Sequence, residues 1–214
     1  LEFTTCQKMA RHLESSVMPR SKRKEREIRA REQAILEAGL RMLLEQGYLG
    51  LRMDHIAASV EYSKGTIYQH FANKEEIVLA LANQALAFRS RLFAEASTMR
   101  KKSRERLAGI GAAAEVFLET FPHFFLVEQV IRINSVLEKT SEARKQFMQS
   151  CETSCRGVVG GIVRDGLAHQ DLTLPKDCTS EDLEFGLWAM TSGAFSIMAS
   201  SQESTPPSET TQPS

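Results

Sequence analysis

One short stretch of this sequence, Met53–Phe71, places hydrogen-bonding side chains on one side of a predicted helix. Ile67 and Phe71 lie four residues apart, so they share a helical face that we assign to the core. The opposite face of that helix carries Lys64, Gly65, Tyr68 and Gln69. A cation, a glycine, a phenol and an amide suit a surface that approaches a nucleic-acid backbone and base edges. Gln69 in particular can pair bidentately with adenine.

The elements that must position these side chains are two short helices on either side of a break at Glu61–Tyr62–Ser63. In the first helix Ile56, Ala57 and Val60 share one face, and Ser63 is the predicted N-cap of the second. Two such faces bury only against each other and a third helix, which is helix-turn-helix geometry. The third helix is predicted before them, over Lys24–Gln46, with Gly47 as its stop.

Helical periodicity continues through the rest of the chain, and no alternating strand pattern is evident. Asn73 caps a helix that runs through Leu86, and Glu follows the cap three residues later. The later predicted helices are Arg104–Glu119, Pro122–Glu138, Ser141–Leu167 and Glu181–Ser200. We therefore predict an all-α protein with a small N-terminal helix-turn-helix domain, residues 21–73, and a larger α-helical domain, residues 74–201. Residues 1–20 are interpreted as a disordered leader, and residues 202–214 as a disordered tail rich in Ser, Thr and Pro.

Composition is that of an ordinary globular protein of 214 residues, with a formal net charge of zero. The charge distribution is more informative, because seven basic residues fall within Arg20–Arg31 against Glu25 and Glu27. A basic run ahead of a helix-turn-helix is interpreted as a phosphate-seeking arm, with a solvated disordered leader as the alternative. The four cysteines form no paired framework and nothing resembles a signal peptide, so we expect a cytoplasmic protein. No apolar run approaches the roughly 20 residues that a membrane span needs, so we expect no membrane contact.

Catalytic constellations are not evident in the sequence. We find no Ser-His-Asp arrangement, no HExxH, no phosphate-cradling glycine loop and no paired carboxylates, so neither an enzyme nor a cofactor is indicated. Cys151 and Cys155 lie four residues apart, a spacing that suits a metal or a redox switch, but two ligands do not make a metal site. Structural thiols are the simpler interpretation. A helical carrier of small hydrophobic ligands, or an enzyme without DNA binding, remains the alternative function, and an adaptor without an effector is a third.

The order of a long helix, an EQGY turn and the segment DHIAASVEYSKGTIYQHFANKEEIV resembles the TetR-type (TetR/AcrR-like) family of transcriptional regulators. The resemblance is specific over about Ile28–Leu81 and rests beyond Leu86 on helix number and length alone. It implies a sequence-specific DNA-binding regulator, which would be a repressor released from its operator by a small-molecule effector. It also implies a homodimer on a palindromic operator, and a C-terminal domain that dimerises and binds the effector.

Carried over by motif position, the recognition helix of this family corresponds to Lys64–His70. The resemblance implies that Lys64 and Gln69 approach base edges, and that Lys74 clamps a phosphate at the start of the next helix. The remaining implied DNA contacts are Arg52, Ser63, Gly65, Thr66, Tyr68 and His70. Core packing is the alternative for Tyr68 and His70, and a solvated charge is the alternative for Lys64.

Two positions depart from the family pattern. Glu61 stands where the family usually has glycine, and a non-glycine residue at positive φ is uncommon, so we expect the turn to adopt a different geometry. Arg52 stands where Ser or Thr usually caps the second helix of the domain. An arginine side chain does not cap a helix, but it can bind a phosphate strongly.

The effector site is predicted from aromatic and polar residues of the second domain, with a plain hydrophobic core as the alternative. The candidate lining residues are Phe121, His123, Phe124, Arg132, Phe147 and Trp188. The family dimer uses the last two helices of each subunit. We expect Glu181–Ser200 to fill this role together with Ser141–Leu167, or the interface to be altered.

Overall fold

The computed structural model describes residues 20–99 and 101–202, and all regular elements within these ranges are α-helices. The predicted all-α fold is confirmed. The predicted leader and tail, apart from Arg20 and Gln202, lie outside the described residues. The chain divides between Ala72 and Asn73 into two compact units.

The first unit contains three helices, named here α1 (Arg20–Gly50), α2 (Met53–Ser59) and α3 (Lys64–His70). Each contributes at least one side chain that is fully buried: Ile35 and Leu43 from α1, Ile56 from α2 and Ile67 from α3. Phe71, just after α3, is also buried. The apolar faces predicted from the sequence therefore form the core of this unit.

Helix α1 is longer than predicted at both ends, and it is interrupted at Gly47. This residue has φ of 69° and ψ of 178°, a backbone conformation that glycine adopts at little steric cost. The basic run forms the first turns of α1, with the described basic side chains exposed and Arg23 paired with Glu27 at 3.0 Å. From Arg20 onward this run is therefore helical, and the disordered-leader alternative is wrong for it.

The second unit contains α4 (Lys74–Ser97), α5 (Ser103–Thr120), α6 (Phe124–Ile131), α7 (Asn134–Glu138), α8 (Glu142–Ala168) and α9 (Ser180–Gln202). Helix α4 lies at its centre and packs against α5, α6 and α8, while α9 packs against α8 and α6. One apolar cluster joins Phe93 of α4 to Ile110 and Ile162. A second cluster joins Leu86 of α4 to Phe117, Phe124 and Cys151.

The single helix predicted over Pro122–Glu138 is wrong, because the structure has two helices there. Ile133 between them is extended, with φ of −72° and ψ of 113°. Ile131 and Val136 are both buried. In one continuous helix these two residues, five positions apart, would point about 140° away from each other, so the break allows both side chains to reach the core.

Helix α4 is long and apolar enough to cross a membrane by length and composition, and half of its most apolar window is buried inside the structure. The expectation that no described segment approaches such a length is therefore wrong. The bent pair α5 and α6 also passes this test when counted as one span. A helix at the centre of a packed bundle has the same composition, and the buried apolar residues of α4 pack in this way.

Candidate nucleic-acid interface

The turn between α2 and α3 keeps the left-handed geometry that glycine usually supplies, although glutamate occupies it. Glu61 has φ of 57°. The Tyr62 N–H donates to the Ala57 carbonyl at 3.1 Å, and the Glu61 N–H donates to the Ala58 carbonyl at 3.3 Å. These two hydrogen bonds form a Schellman motif at the end of α2. The expected change of turn geometry is wrong, because the motif stabilises Glu61 in the strained conformation.

Ser63 sets the start of α3. Its Oγ accepts a hydrogen bond from the Thr66 N–H at 3.1 Å, which confirms Ser63 as the N-cap. The hydroxyl groups of Ser63 and Thr66 also lie 2.9 Å apart. Arg52 holds the N-cap position of α2 without a side-chain capping hydrogen bond, and it is exposed. Its guanidinium group is therefore not used as a cap.

The outward face of α3 carries the predicted set of side chains. Lys64, Gly65 and Gln69 are exposed, and 52% of Tyr68 is accessible. A Cβ atom added at Gly65 would meet only the Ser63 Oγ, at an ordinary contact distance of 3.8 Å. Within the described part of the chain, nothing therefore requires glycine at this position, although glycine destabilises a helix interior by about 1 kcal/mol relative to alanine.

Lys64 has a partner that the sequence did not indicate. Its Nζ lies 2.6 Å from Oδ2 of Asp54, in the first turn of α2, and both side chains remain more than half exposed. The acid thus offsets the charge of the cation at the outward surface. A signal was present, since an acidic residue near a helix N-terminus is favoured by the helix dipole, but the pairing depends on the turn between the helices.

His70 is placed on the packed side of α3. Only 9% of its side chain is exposed, and its Nδ1 lies 3.4 Å from Oε1 of Glu32 on α1. This geometry favours the packing alternative for His70, and a DNA contact by its ring stays a prediction. Lys74 is the first residue of α4, in the second unit, and it is partly exposed. The side chain of Asn73 caps α4 by accepting from the Glu76 N–H at 2.8 Å, as predicted.

The six residues predicted to line an effector site do not converge. Phe121 and Phe124 both contact Phe117, with ring centroids 5.8 Å and 5.0 Å from it. The other four are exposed: His123, Arg132, Phe147 and Trp188. Arg132 pairs with Glu128 at 2.7 Å, and Trp188 contacts only Phe185 among the described aromatic rings. The structure therefore groups Phe121 and Phe124 in one aromatic cluster and leaves the other four apart from it, and their role in effector binding stays a prediction.

Sequence reasoning missed Arg89, which lies in the aromatic cluster. Its guanidinium carbon is 5.6 Å from the ring centroid of Phe117 and 5.8 Å from that of Phe124. The sequence did contain a signal, because Arg89 falls four residues after Ala85 and four before Phe93, on the buried stripe of α4.

Two cysteines and one surface depression of the second unit lie apart from the predicted sites. Cys151 and Cys155 are both buried free thiols. Over the described ranges, no three His, Cys, Asp or Glu residues are grouped to hold a metal ion. An open cavity of about 630 Å³ lies beside the start of α5 and the end of α8, and its lining includes Arg106, Asp165, His169 and Asp171. None of the six predicted effector residues lines it.

Comparison with known proteins identifies the N-terminal segment. Residues 35–81 match the family described as bacterial regulatory proteins, tetR family. Over 69 residues the chain is 38% identical to the HTH-type transcriptional repressor AcnR of Corynebacterium diphtheriae, which covers 32% of this chain and 36% of AcnR. It is 30% identical over 123 residues to the HTH-type transcriptional regulator TtgR of Pseudomonas putida, covering 58% of this chain and 55% of TtgR.

The fold of the chain is also similar to solved structures. The transcriptional regulator FadR from Bacillus subtilis, solved in complex with stearoyl-CoA, superposes with a TM-score of 0.64 at 17% identity. The match covers 81% of this chain and 89% of FadR, and at this identity it shows a shared fold only. Residues 35–81 are therefore similar to the tetR family of bacterial regulatory proteins, and the chain spans about a third of the length of AcnR and about half that of TtgR.

Proposed function

We propose that this protein is a transcriptional repressor that binds a palindromic operator in double-stranded DNA and leaves it when a small-molecule effector binds. The observation that carries the proposal is the exposed Gly65 on α3, where no neighbouring atom of the described residues requires a glycine. A DNA backbone or base edge at this surface would require it, because any side chain would keep the helix away. AcnR, which is 38% identical to this chain over 69 residues, is named a transcriptional repressor.

The proposed contacts follow from the exposure of the side chains. Lys64 and Gln69 reach base edges in the major groove, where glutamine pairs with adenine through two hydrogen bonds. Phosphates are bound by Arg52, Ser63, Thr66, Tyr68 and Lys74. The hydroxyl groups of Ser63 and Thr66 lie together at the N-terminus of α3, where backbone N–H groups also favour an anion.

An operator obtained by selection from random DNA with the full chain makes this proposal testable. Fluorescence anisotropy then compares Tyr68→Phe, Gln69→Ala and Lys74→Ala with the unmodified protein. We expect Gln69→Ala to weaken binding by roughly 5- to 150-fold, since a bidentate base contact is worth about 1–3 kcal/mol. Gln129→Ala and Lys176→Ala are the matched controls, because both side chains are exposed on the second unit. Undiminished binding by all three variants would overturn the proposal.

A homodimer is the assembly that a palindromic operator requires, because its two-fold symmetry mirrors that of the protein. Helix α9 exposes large apolar side chains, with 67% of Phe185, 50% of Trp188 and 70% of Met190 accessible. On α8, Phe147 is also exposed. An apolar patch of this kind marks an interaction surface, and we propose a second copy of the chain as its occupant.

Sedimentation equilibrium with Phe185→Asp and Met190→Asp tests the dimer. We expect the double variant to be monomeric at concentrations where the unmodified chain is dimeric, and to retain its helical circular dichroism. The chain has one tryptophan, Trp188, so a blue-shifted emission maximum in the dimer reports its burial directly. A dimer of unchanged affinity in the double variant places the interface elsewhere.

The effector of this proposal binds in the helical second unit. FadR, with a similar fold, was solved with stearoyl-CoA bound, which supports a small-molecule ligand for a protein of this architecture. A repressor of this kind works in the cytoplasm, where its operator is accessible. To act as a switch, the effector must bind one of two forms more tightly by several kcal/mol.

A further inference from the structure

Arg89 is a cation in apolar surroundings. It lies on α4 with its guanidinium group over the rings of Phe117 and Phe124. Its Nε is buried and has no hydrogen-bond partner within the part of the chain that the structure describes. Four arginines of the second unit do pair with carboxylates: Arg106 with Asp165, Arg132 with Glu128, Arg144 with Glu76 and Arg164 with Glu184. Over the same described ranges, no carboxylate pairs with Arg89.

The elements around Arg89 form an apolar wall. Phe117 is on α5, Phe124 is on α6 and the buried Cys151 is on α8. Three helices therefore surround the guanidinium group of Arg89, which is on α4. Cys151 lies close enough that the charge of Arg89 acts to lower its pKa, although burial is the larger influence and raises that pKa. No acidic side chain of these three helices is in contact with Arg89 in the described residues.

Arg89 is partly exposed, but its buried Nε has lost its hydrogen bond to water, and a buried N–H donor without an acceptor costs free energy. The faces of two aromatic rings attract a guanidinium group but do not satisfy its N–H donors. Arginine offers a planar set of donors that matches a carboxylate or a phosphate in two parallel hydrogen bonds. The missing partner of Arg89 is therefore expected to be an anion.

We propose that Arg89 is the anchor for an anionic effector, whose carboxylate or phosphate pairs with the guanidinium group while its apolar body packs on the partly exposed Phe121 and Met148. This proposal rests on the proposed function only in that the bound anion is taken to be the effector that releases DNA. Phe121 follows α5, is partly exposed and contacts Phe88 at 5.4 Å between ring centroids, so the cluster reaches the surface at this point. Met148, packed on the same cluster, can adapt to a ligand because its side chain is unbranched.

Direct binding to the full chain without DNA tests the site. Decanoate and decyl phosphate are the anionic probes, and decanamide is the neutral probe of matched length, with isothermal titration calorimetry and thermal unfolding as readouts. We expect at least one anion to bind tenfold or more tightly than decanamide. We expect Arg89→Met to abolish this preference. Arg91→Met is the matched control, because Arg91 is exposed on the same helix and lies over Phe88 at 6.0 Å.

Arg89→Lys keeps the charge but loses the planar donors, so it retains a weaker preference for anions and covers the case in which Arg89→Met fails to fold. The proposal is overturned if no anion binds the unmodified chain better than decanamide, or if Arg89→Met and Arg91→Met bind anions equally well. Operator binding is measured separately by anisotropy. An anion that binds through Arg89 and leaves the DNA complex intact supports the site and contradicts only the effector role in the proposed function.

Discussion

The carboxylate of Glu76 and the guanidinium group of Arg144 form an ion pair of 2.7 Å between the first turns of α4 and α8. Glu76 also accepts hydrogen bonds from the backbone N–H and the hydroxyl of Ser141. Asn73 donates to the carbonyl of Lys139 at 2.9 Å. The predicted capping box is therefore only half formed, because the carboxylate of Glu76 serves the link before α8. These bonds attach the start of α4 to that link.

Replacement of Glu76 by glutamine is expected to lower the free energy of unfolding by about 1–3 kcal/mol, because a buried charged acceptor of several donors is lost. Urea unfolding followed by circular dichroism measures the change. Glu142→Gln is the control, since its exposed pair with Lys145 is worth at most about 1 kcal/mol. A double-mutant cycle with Arg144→Met isolates the pair, and a coupling energy near zero would contradict this account.

Alanine at Gly65 is expected to separate stability from DNA binding. A Cβ fits within the protein there, so Gly65→Ala should raise the free energy of unfolding by about 0.5–1 kcal/mol. Operator affinity should fall by roughly tenfold, which corresponds to a loss of about 1.4 kcal/mol of binding free energy. Gly111→Ala on α5 is the matched control, because a Cβ there also meets nothing and should stabilise the fold without changing DNA binding. Equal operator affinity for the two variants would argue against a close approach at Gly65.

Glycine at position 61 is expected to stabilise the turn. Glu61→Gly should raise the free energy of unfolding by about 0.5–1 kcal/mol. This gain is the cost of holding a non-glycine residue in the left-handed conformation, minus the cost of the conformational entropy that glycine loses on folding. Glu61→Ala removes the charge but keeps the Cβ, so it should show no such gain. Both variants should bind the operator more tightly at low salt, because a negative charge beside the phosphates is removed. Equal unfolding midpoints for the two variants would mean that the turn carries no strain.

Removal of the acid that pairs with Lys64 is expected to strengthen DNA binding. Asp54→Asn should raise operator affinity by up to about fivefold, since an exposed ion pair is worth about 0.2–1 kcal/mol and no longer competes with DNA. Lys64→Ala should relax specificity at one base pair, because Lys64 is proposed to contact a base edge. Uniformly weaker binding, with the slope of log affinity against log salt lowered by about 1, would instead place Lys64 on a phosphate. In a protein that already carries Lys64→Ala, Asp54→Asn should raise operator affinity less than it does in the unmodified protein.

Burial raises the pKa of Cys151 above its ordinary value of 9.0. The folded protein therefore keeps this thiol protonated at a pH where the unfolded chain releases the proton. The resulting stability is present below the unfolded pKa and is lost as pH rises through the folded pKa. The urea midpoint of unfolding should therefore fall more between pH 8 and pH 10 in the unmodified chain than in Cys151→Ala.

Iodoacetamide should modify the partly exposed Cys178 before the buried Cys151, as mass spectrometry of the labelled peptides would show.

Local periodicity was sufficient to predict the helix that follows Ser63. The N-caps Ser63 and Asn73 and the burial of Ile67 opposite the exposed Tyr68 follow from spacing within a few residues, whereas the bounds Lys64–His70 were carried over from the family resemblance. The sequence also predicted a helix stop at Gly47, where α1 is interrupted, because glycine is the usual residue at positive φ. These features depend on the helix itself and on short-range hydrogen bonds.

Tertiary structure alone decided which distant side chains meet. Lys64 reaches Asp54 only because Glu61 accepts the left-handed turn, and His70 packs beside a glutamate 38 positions earlier in the chain. Helix α6 ends before α7 so that Ile131 and Val136 both reach the core. Packing of this kind also left the predicted effector residues apart and placed Arg89 among aromatic rings. Sequence spacing defines the face of one helix, whereas the partner of that face depends on how the helices pack.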